Sequence, residues 1–351
     1  MRSRELAVVC AGIAAAACGD TGAGPQPFDV VLPPPVTVVS LESERIAQPS
    51  DLAVAPDGRL WIADGQAKQV VSVAPDGTDA RVLGREGEGP GEFRAPVAIA
   101  AGADRIRVLD AMNGRVDDFT LGGEFLADHR VVAPLYYGTV AIDLEGRVVA
   151  PSIGRDSALA TISLLSDTAA TIRLGPAVAE TPAIFDMLAM KNQIANGGVP
   201  PMLRNAVVPV LGPGGTVWLL LQGEAEIRRY TGAGRLEWSR PLDVPAAVRA
   251  REEFFRRNAE DTNPARIFGL VTMVDGVVAD GRLWVLMRGE GDAPAVFYVF
   301  DAGTGDRLGR VTVSVPAPVT GFAIDPERNR IFLAIGEEAS ILAADLSAVP
   351  R

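Results

Sequence analysis

The chain has 351 residues, with 33 Lys and Arg against 44 Asp and Glu, a formal net charge of −11 and 48% hydrophobic residues. An acidic chain cannot displace the counterions of a nucleic acid, so no nucleic-acid partner is expected. A single histidine, His129, excludes zinc, iron or haem sites that need several imidazoles. The 37 Gly and 26 Pro favour a chain with many tight turns.

Residues 1–18 are predicted to be an export signal, because two arginines precede an apolar run from Leu6 to Ala17. That run is too short to cross a bilayer. It ends in Ala-Ala-Ala-Cys, which resembles a bacterial lipobox in which Cys18 would be the lipid attachment site. Ordinary cleavage after Ala17 is the alternative and would give a secreted or periplasmic protein. The sequence therefore predicts an exported protein of the cell envelope, with an N-terminal lipid as its only membrane attachment.

Residues 19–35 are rich in Gly and Pro, which is typical of a flexible tether between an anchor and a folded domain. The only other cysteine, Cys10, lies inside the predicted signal. A mature chain that begins at Cys18 would therefore hold no free thiol.

The first folded unit is predicted at residues 49–83. Residues 49–64 contain two alternating strands on either side of Asp57-Gly58, a turn pair that is favoured where both residues need a positive φ. Two further strands follow at 69–74 and 78–83. Four antiparallel strands joined by tight turns form one blade of a β-propeller.

Five more units follow at a period of 40 to 50 residues, which indicates a repeat architecture. They begin at 97–101, 139–150, 207–221, 274–287 and 320–335. The last unit is one strand short, and residues 36–46 are left over before the first. The sequence thus predicts an all-β, six-bladed, monomeric propeller at 36–351, with 36–46 as the ring-closing outer strand of the last blade.

Three segments of the first two units carry a family resemblance. Residues 49–64 have proline, an alternating strand, Asp-Gly and a final Asp; residues 110–119 read D-x-x-N-x-R-V-x-x-F; residues 84–96 form a glycine-rich linker that ends in G-P-G-E-F-x-x-P. These segments resemble NHL repeats, and the chain resembles the six-bladed propeller lipoproteins of bacterial envelopes, most of which lack an assigned function. The resemblance covers residues 49–130 by motif and the remainder by period.

The motif residues are expected to be architectural. Asp64 and Asp110 end their strands, where a carboxylate can accept hydrogen bonds from turn N–H groups. Trp61, Phe93 and Phe119 are expected to pack between blades.

Extra sequence lies in two gaps between blades, at 180–204 and 245–260. The first is predicted to hold a short apolar helix at 183–190 and a loop, and the second a helix with Pro245 at its first position. These insertions would either cover apolar surface on the propeller or form a lid or docking ridge over the central channel. In the second case Phe254, Phe255, Arg256 and Arg257 would contact the partner.

The sequence contains no G-x-S-x-G, no P-loop and no histidine-based nucleophile pair. We therefore expect a non-catalytic binding or scaffold module without a cofactor, which presents its loops to a protein or small-molecule partner. The alternative is a calcium-dependent hydrolase that resembles gluconolactonases, with its site in the channel. Ca²⁺ needs several oxygen ligands, for which Asp51, Asp104, Asp143 and Asp325 are the candidates.

Overall fold

In the computed structural model, six blades of antiparallel strands stand around a central channel, which confirms the predicted fold class. The structure describes residues 26–39, 46–131, 139–152, 157–182, 185–289, 293–336 and 338–351. The predicted export signal and Cys18 lie outside the described residues.

The chain begins with two short strands, β1 (Phe28–Val31) and β2 (Val36–Val39), which join later blades. Blade 1 contains β3 (Pro49–Val54), β4 (Leu60–Asp64), β5 (Gln69–Val73) and β6 (Arg81–Leu83). Blade 2 contains β7 (Pro96–Ala101), β8 (Ile106–Asp110), β9 (Arg115–Phe119) and β10 (Phe125–Arg130). Blade 3 contains β11 (Ala141–Ile142), β12 (Arg147–Pro151), β13 (Ala160–Leu164) and β14 (Asp167–Leu174).

The second half of the ring repeats this order. Blade 4 contains β15 (Val207–Leu211), β16 (Val217–Leu221), β17 (Glu226–Tyr230) and β18 (Leu236–Pro241). Blade 5 contains β19 (Met273–Ala279), β20 (Arg282–Met287), β21 (Ala295–Asp301) and β22 (Arg307–Val313). Blade 6 contains β23 (Val319–Asp325), β24 (Arg330–Ile335) and β25 (Ser340–Asp345). The first strand of each blade lines the channel.

The hydrophobic core consists of layers between neighbouring blades. The layer between blades 1 and 2 joins Trp61 and Val70 to Ile106 and Phe119, all of which are buried. Second strands such as β4 and β8 are buried along their whole length, because both faces pack against a neighbouring blade. The outer strands are largely exposed. A blade therefore depends on its neighbours for burial of its apolar faces.

The Asp-Gly turns follow two geometries. Asp280 and Gly281 have φ of 49° and 71°, so both central residues are left-handed, as the sequence predicts. At Asp57-Gly58 only the glycine has a positive φ, of 88°. There the Asp57 carboxylate accepts the N–H of Arg59 at 2.9 Å, and the loop is one residue longer than a two-residue hairpin turn.

The ring closes through β2. It pairs antiparallel with β25 as the outer strand of blade 6, with Val36 opposite Ala343 and Thr37 opposite Leu342. Val39 is buried against blades 6 and 1. The last blade is thus assembled from both ends of the described chain. Within the predicted segment 36–46, residues 36–39 form the closing strand.

The prediction of a flexible tether at 19–35 is wrong for residues 28–32. The strand β1 adds to the outer edge of blade 5, parallel to β22, and makes that blade five-stranded. Gly309 leaves room for the Phe28 ring, the Arg310 guanidinium donates to the Asp29 carboxylate at 2.6 and 3.0 Å, and Leu32 is buried. The alternating apolar residues of β1 and its ion pair with Arg310 favour a strand more than the flanking Gly and Pro favour a flexible chain.

The family-like motif residues are architectural, as predicted. The Asp64 carboxylate accepts N–H bonds from Gln48, Gln66 and Ala67. Asp110 binds the N–H groups of Arg94 and Ala95. The carboxylate at each strand end therefore holds both its turn and the chain that leads into the blade.

The phenylalanines of the glycine-rich linker and of β9 also pack as expected. Phe93 is fully buried and its ring centroid lies 5.8 Å from that of Phe119. The Arg115 guanidinium donates to the linker carbonyls of Glu88 and Glu92 at 2.9 Å. The linker is thereby fixed as part of the ring between blades 1 and 2.

Three helices lie in the two insertions: α1 (Met187–Ala195), α2 (Pro201–Arg204) and α3 (Pro245–Glu260). The Asp186 carboxylate accepts the Ala189 N–H and caps α1, so the first helix begins later than the predicted apolar segment. The bounds of α3 match the prediction. None of the helices in the described ranges combines the length and apolar character needed to cross a bilayer.

We expect Val39→Asp to lower the free energy of unfolding by about 3 kcal/mol or more, because an unpaired carboxylate would lie between the first and last blades. Urea unfolding followed by tryptophan fluorescence measures this. Thr37→Asp is the control, since Thr37 is exposed on the same strand. Equal midpoints for the two variants would show that β2 does not hold the ring closed.

Candidate functional site

Both insertions lie at the same end of the ring. Each is part of a connection from the outer strand of one blade to the inner strand of the next: α1 and α2 lead from β14 to β15, and α3 leads from β18 to β19. The turn between β20 and β21 lies at this end as well, because the end of β20 pairs with the start of β19. We call this end of the propeller the insertion face.

Phe254 joins the two insertions. It is 3% exposed and packs in one cluster with Ile194 of the first insertion and with Val199 and Leu270. Phe254 also lines the pocket between α3 and blade 5, so its contact with a partner stays a prediction. Its burial between the insertions makes them a single body.

The other three predicted docking residues remain at least partly accessible. Phe255 is half-buried, lies edge-on to Phe254 at 5.0 Å and carries the Arg251 guanidinium over its ring. The exposed Arg256 is paired with Glu253 and Glu260 on its own helix.

Arg257 points to a different place. Its guanidinium carbon lies 4.0 Å from the centroid of the Phe268 ring. The structure thus separates Arg256, on the outer side of α3, from Arg257, which borders a pocket.

That pocket lies between α3 and blade 5 and has a volume of about 680 Å³. One wall is the helix, the second is the segment from Phe268 to Val271, and the third is the ring. The ring contributes Met287 and Arg288 from the end of β20 and Val296 from β21. An inserted helix and the propeller scaffold therefore build the pocket together, which is where function tends to lie in a repeat fold.

The walls of the pocket are partly cationic and partly apolar. Arg249, Arg257 and Arg288 supply three guanidinium groups, whereas Glu253 is the carboxylate among the lining residues. Glu253 is itself paired with Arg256. Among the described lining residues, positive charges thus outnumber negative ones, in a chain whose net charge is −11.

The central channel contains a second, smaller cavity of about 210 Å³, lined by inner strands of the ring. Asp51 of β3 and Asp275 of β19 are its acidic residues, at the same position in their two blades. The Asp51 carboxylate accepts the Leu52 N–H and, from the next blade, the Ile99 N–H, both at 2.8 Å. The Asp275 carboxylate likewise accepts the Gly276 N–H and, from blade 6, the Phe322 N–H. Each carboxylate fastens two neighbouring inner strands.

Both channel carboxyls are shifted towards the protonated form. Burial inside the ring, followed by repulsion from the charge on Asp275, raises the pKa of Asp51 from 3.8 to about 8. Burial also raises the pKa of Asp275 to about 6, against the two backbone N–H bonds that lower it. At neutral pH the two carboxyls together therefore carry no charge or a single negative charge.

The other calcium candidates do not share a site with Asp51. Asp104 pairs with the adjacent Arg105, Asp143 with Arg147, and the buried Asp325 with Arg328, each beside its own hairpin turn. Within the described residues, no group of three or more His, Cys, Asp or Glu is arranged to hold a metal ion. The Nε2 atom of His129 lies 3.4 Å from the Asp118 carboxylate on blade 2.

Sequence reasoning missed Asp275, Phe268 and Arg288. Asp275 could have been found, because it occupies the position of Asp51 when the units at 49 and 273 are aligned. Phe268 and Arg288 lie in connections without a repeat pattern, so nothing in the sequence associates them with α3.

No protein-family model matches the chain, and no curated protein matches it. Solved structures do. An exported protein of Bacteroides fragilis is 10% identical with a TM-score of 0.53, over 90% of this chain and 99% of that one. A Bacteroides thetaiotaomicron protein of unknown function is 12% identical with a TM-score of 0.51, over 88% and 71%. A streptogramin B lyase is 14% identical with a TM-score of 0.48, over 86% and 94%. At these identities the likeness is one of fold alone.

We expect the free energy of unfolding to fall as the pH rises from about 5 to about 8. The folded chain holds protons on Asp51 and Asp275 that the unfolded chain has already lost above the ordinary value of 3.8, so this stabilisation is complete below that value and disappears through the folded pKa. Each carboxyl contributes at most about 1.4 kcal/mol per pH unit. Urea midpoints measured across this range test the slope.

Asp51→Asn should flatten the slope above about pH 6, whatever its effect on absolute stability. Burial also raises the pKa of Asp117 to about 6, but that group is present in both proteins and cancels in the difference. A slope that is unchanged in Asp51→Asn would mean that the Asp51 carboxyl ionises normally in the folded ring.

Proposed function

We propose that this chain is a non-catalytic binding module of the bacterial cell envelope, and that its binding site is the pocket between α3 and blade 5. The observation that supports this most is the joint construction of that pocket. The ring supplies a rigid wall, and Phe254 fixes α3 against the first insertion. A preformed concave site with a few polar groups on apolar walls is typical of small-molecule binding.

The non-catalytic part of the proposal rests on how the acidic groups of the channel are used. The oxygens of Asp51 and Asp275 accept backbone N–H bonds that join neighbouring blades. A catalytic acid or base needs to reach a substrate proton, whereas these carboxylates are engaged in holding the ring. The proposal includes no cofactor.

The proposal places the module at a membrane through a lipid on Cys18, with the propeller itself monomeric. Its supports are the export-signal pattern of residues 1–18, the lipobox-like quartet that ends in Cys18, and the resemblance of residues 49–130 to NHL repeats. One protein of the same fold, from Bacteroides fragilis, is also described as exported.

A calcium-dependent hydrolase in the channel is the second candidate. Its specific support is the presence of two carboxyls, Asp51 and Asp275, in one cavity. Ca²⁺ would have to complete its shell with backbone carbonyls and water. A calcium-dependent rise in melting temperature that is absent in Asp51→Asn would favour this candidate over the binding module.

We expect Cys18→Ala to move the protein from the membrane fraction to the soluble envelope fraction and to abolish labelling by an alkyne fatty acid, because the thiol that carries the lipid is gone. Cys10→Ala is the matched control and should keep the label, since Cys10 lies inside the predicted signal. An unlabelled, soluble wild-type protein would favour ordinary cleavage after Ala17.

We expect Ala250→Trp to abolish ligand binding by filling the pocket, which Ala250 lines from α3. A ligand that binds only the folded state raises the melting temperature by mass action. A screen of small molecules by thermal unfolding should therefore identify compounds that stabilise the wild type and not Ala250→Trp.

Ala259→Trp is the control for this screen, because Ala259 is exposed on the same helix and does not line the pocket. It should respond as the wild type does. Compounds that stabilise Ala250→Trp as much as the wild type would locate the binding site elsewhere on the propeller.

A further inference from the structure

We infer that the pocket between α3 and blade 5 binds a small apolar molecule that carries a carboxylate. This inference rests on the proposed function and adds the chemical class of the ligand. It follows from three features of the pocket: guanidinium groups without a partner among the described residues, one guanidinium placed over an aromatic ring, and apolar side chains on the same walls.

The first feature is a surplus of cationic groups. The side chains of Arg249 and Arg288 have no hydrogen-bond or carboxylate partner among the described residues, although both line the pocket. Most other arginines of this face are paired, such as Arg256 with Glu253 and Glu260, and Arg204 with Glu224. Two unpaired guanidiniums on one cavity attract an anion into it.

The second feature is the orientation of Arg257. Its guanidinium lies over the Phe268 ring at 4.0 Å, and Arg266 lies at 4.9 Å from the same ring. Arg266 is tied to the Asp261 carboxylate at 2.7 and 2.9 Å. The carboxylate oxygen nearest to Arg257, on Glu253, is 3.9 Å from its Nε, which is too long for a hydrogen bond.

A cation–π contact with an aromatic ring leaves the N–H groups of a guanidinium available for hydrogen bonds. Arg257 is therefore oriented by Phe268 while its donors remain available. A guanidinium offers two parallel donors that match the two oxygens of a carboxylate. Planar, two-oxygen recognition favours a carboxylate over a spherical anion.

The third feature is the apolar wall. Met287, Pro294 and Val296 line the ring side of the pocket, Val271 lies in the segment that leads into β19, and Phe254 lines the helix side. A small hydrated anion in the pocket would leave these apolar side chains in contact with water. A ligand with an apolar body next to its carboxylate covers them and satisfies the arginines together.

Matched probes with the same apolar body test the class. We would measure binding of 4-phenylbutyrate, 4-phenylbutan-1-ol and 4-phenylbutylammonium to the purified full chain by titration calorimetry. The carboxylate should bind about tenfold or more tightly than the alcohol, because charge-assisted hydrogen bonds replace neutral ones. The ammonium probe should not bind.

Variants identify the residues responsible. Arg249→Gln and Arg288→Gln should each weaken 4-phenylbutyrate binding by about fivefold or more and leave the alcohol unaffected. Arg235→Gln is the control, because Arg235 is an exposed arginine of blade 4 that is paired with Glu237 and does not line the pocket. It should bind the carboxylate as the wild type does.

The outcomes separate this inference from the proposed function. Equal binding of alcohol and carboxylate, abolished by Ala250→Trp, would overturn the carboxylate class and leave the pocket as the binding site. Inorganic phosphate that competes as well as the carboxylate would overturn it in favour of anions in general. Failure of all three probes to bind, in a protein whose pocket does accept other compounds, would likewise overturn the inference, whereas binding that survives in Ala250→Trp would overturn both.

Discussion

The pairing of β2 with β25 is the interaction on which the rest of the molecule depends. Each blade buries its two faces against its neighbours, so an open array would expose two apolar sheets and two unpaired edges. Four residues from the start of the folded chain complete the last blade, and Val39 then contacts both blade 6 and blade 1. The channel carboxyls depend on this closure, since Asp51 and Asp275 keep their neighbours across blades only when the inner strands are held in a ring.

The repeat pattern made the ring predictable. Alternation and the Asp-Gly pairs placed the strands, and the strand-end positions of Asp64 and Asp110 predicted their bonds to turn N–H groups. Local patterns failed where a residue's partner lies far along the chain. The strand β1 is formed by contact with β22, some 280 residues away, and composition alone made that segment a tether. On α3 the pattern could not show that Phe254 is buried against the first insertion while Phe255 beside it is only half-buried.

The candidate site shows the same limit in its charges. A net charge of −11 predicts no broad cationic surface, yet it says nothing about three arginines that meet in one pocket. Arg249 and Arg257 come from a helix between blades 4 and 5, and Arg288 comes from a turn within blade 5. Only the ring brings the two segments together. The insertions are therefore more than a cover on the propeller, because they supply one side of a cavity whose other side is the scaffold.

The direction of β1 bears on how the module would face a bilayer. Because β1 runs parallel to β22, which ends at the insertion face, Phe28 lies towards the opposite end of blade 5. The ten Cα–Cα steps from Cys18 to Phe28 can span at most about 35 Å. A lipid on Cys18 would thus be linked to the propeller from the end opposite the arginine-lined pocket.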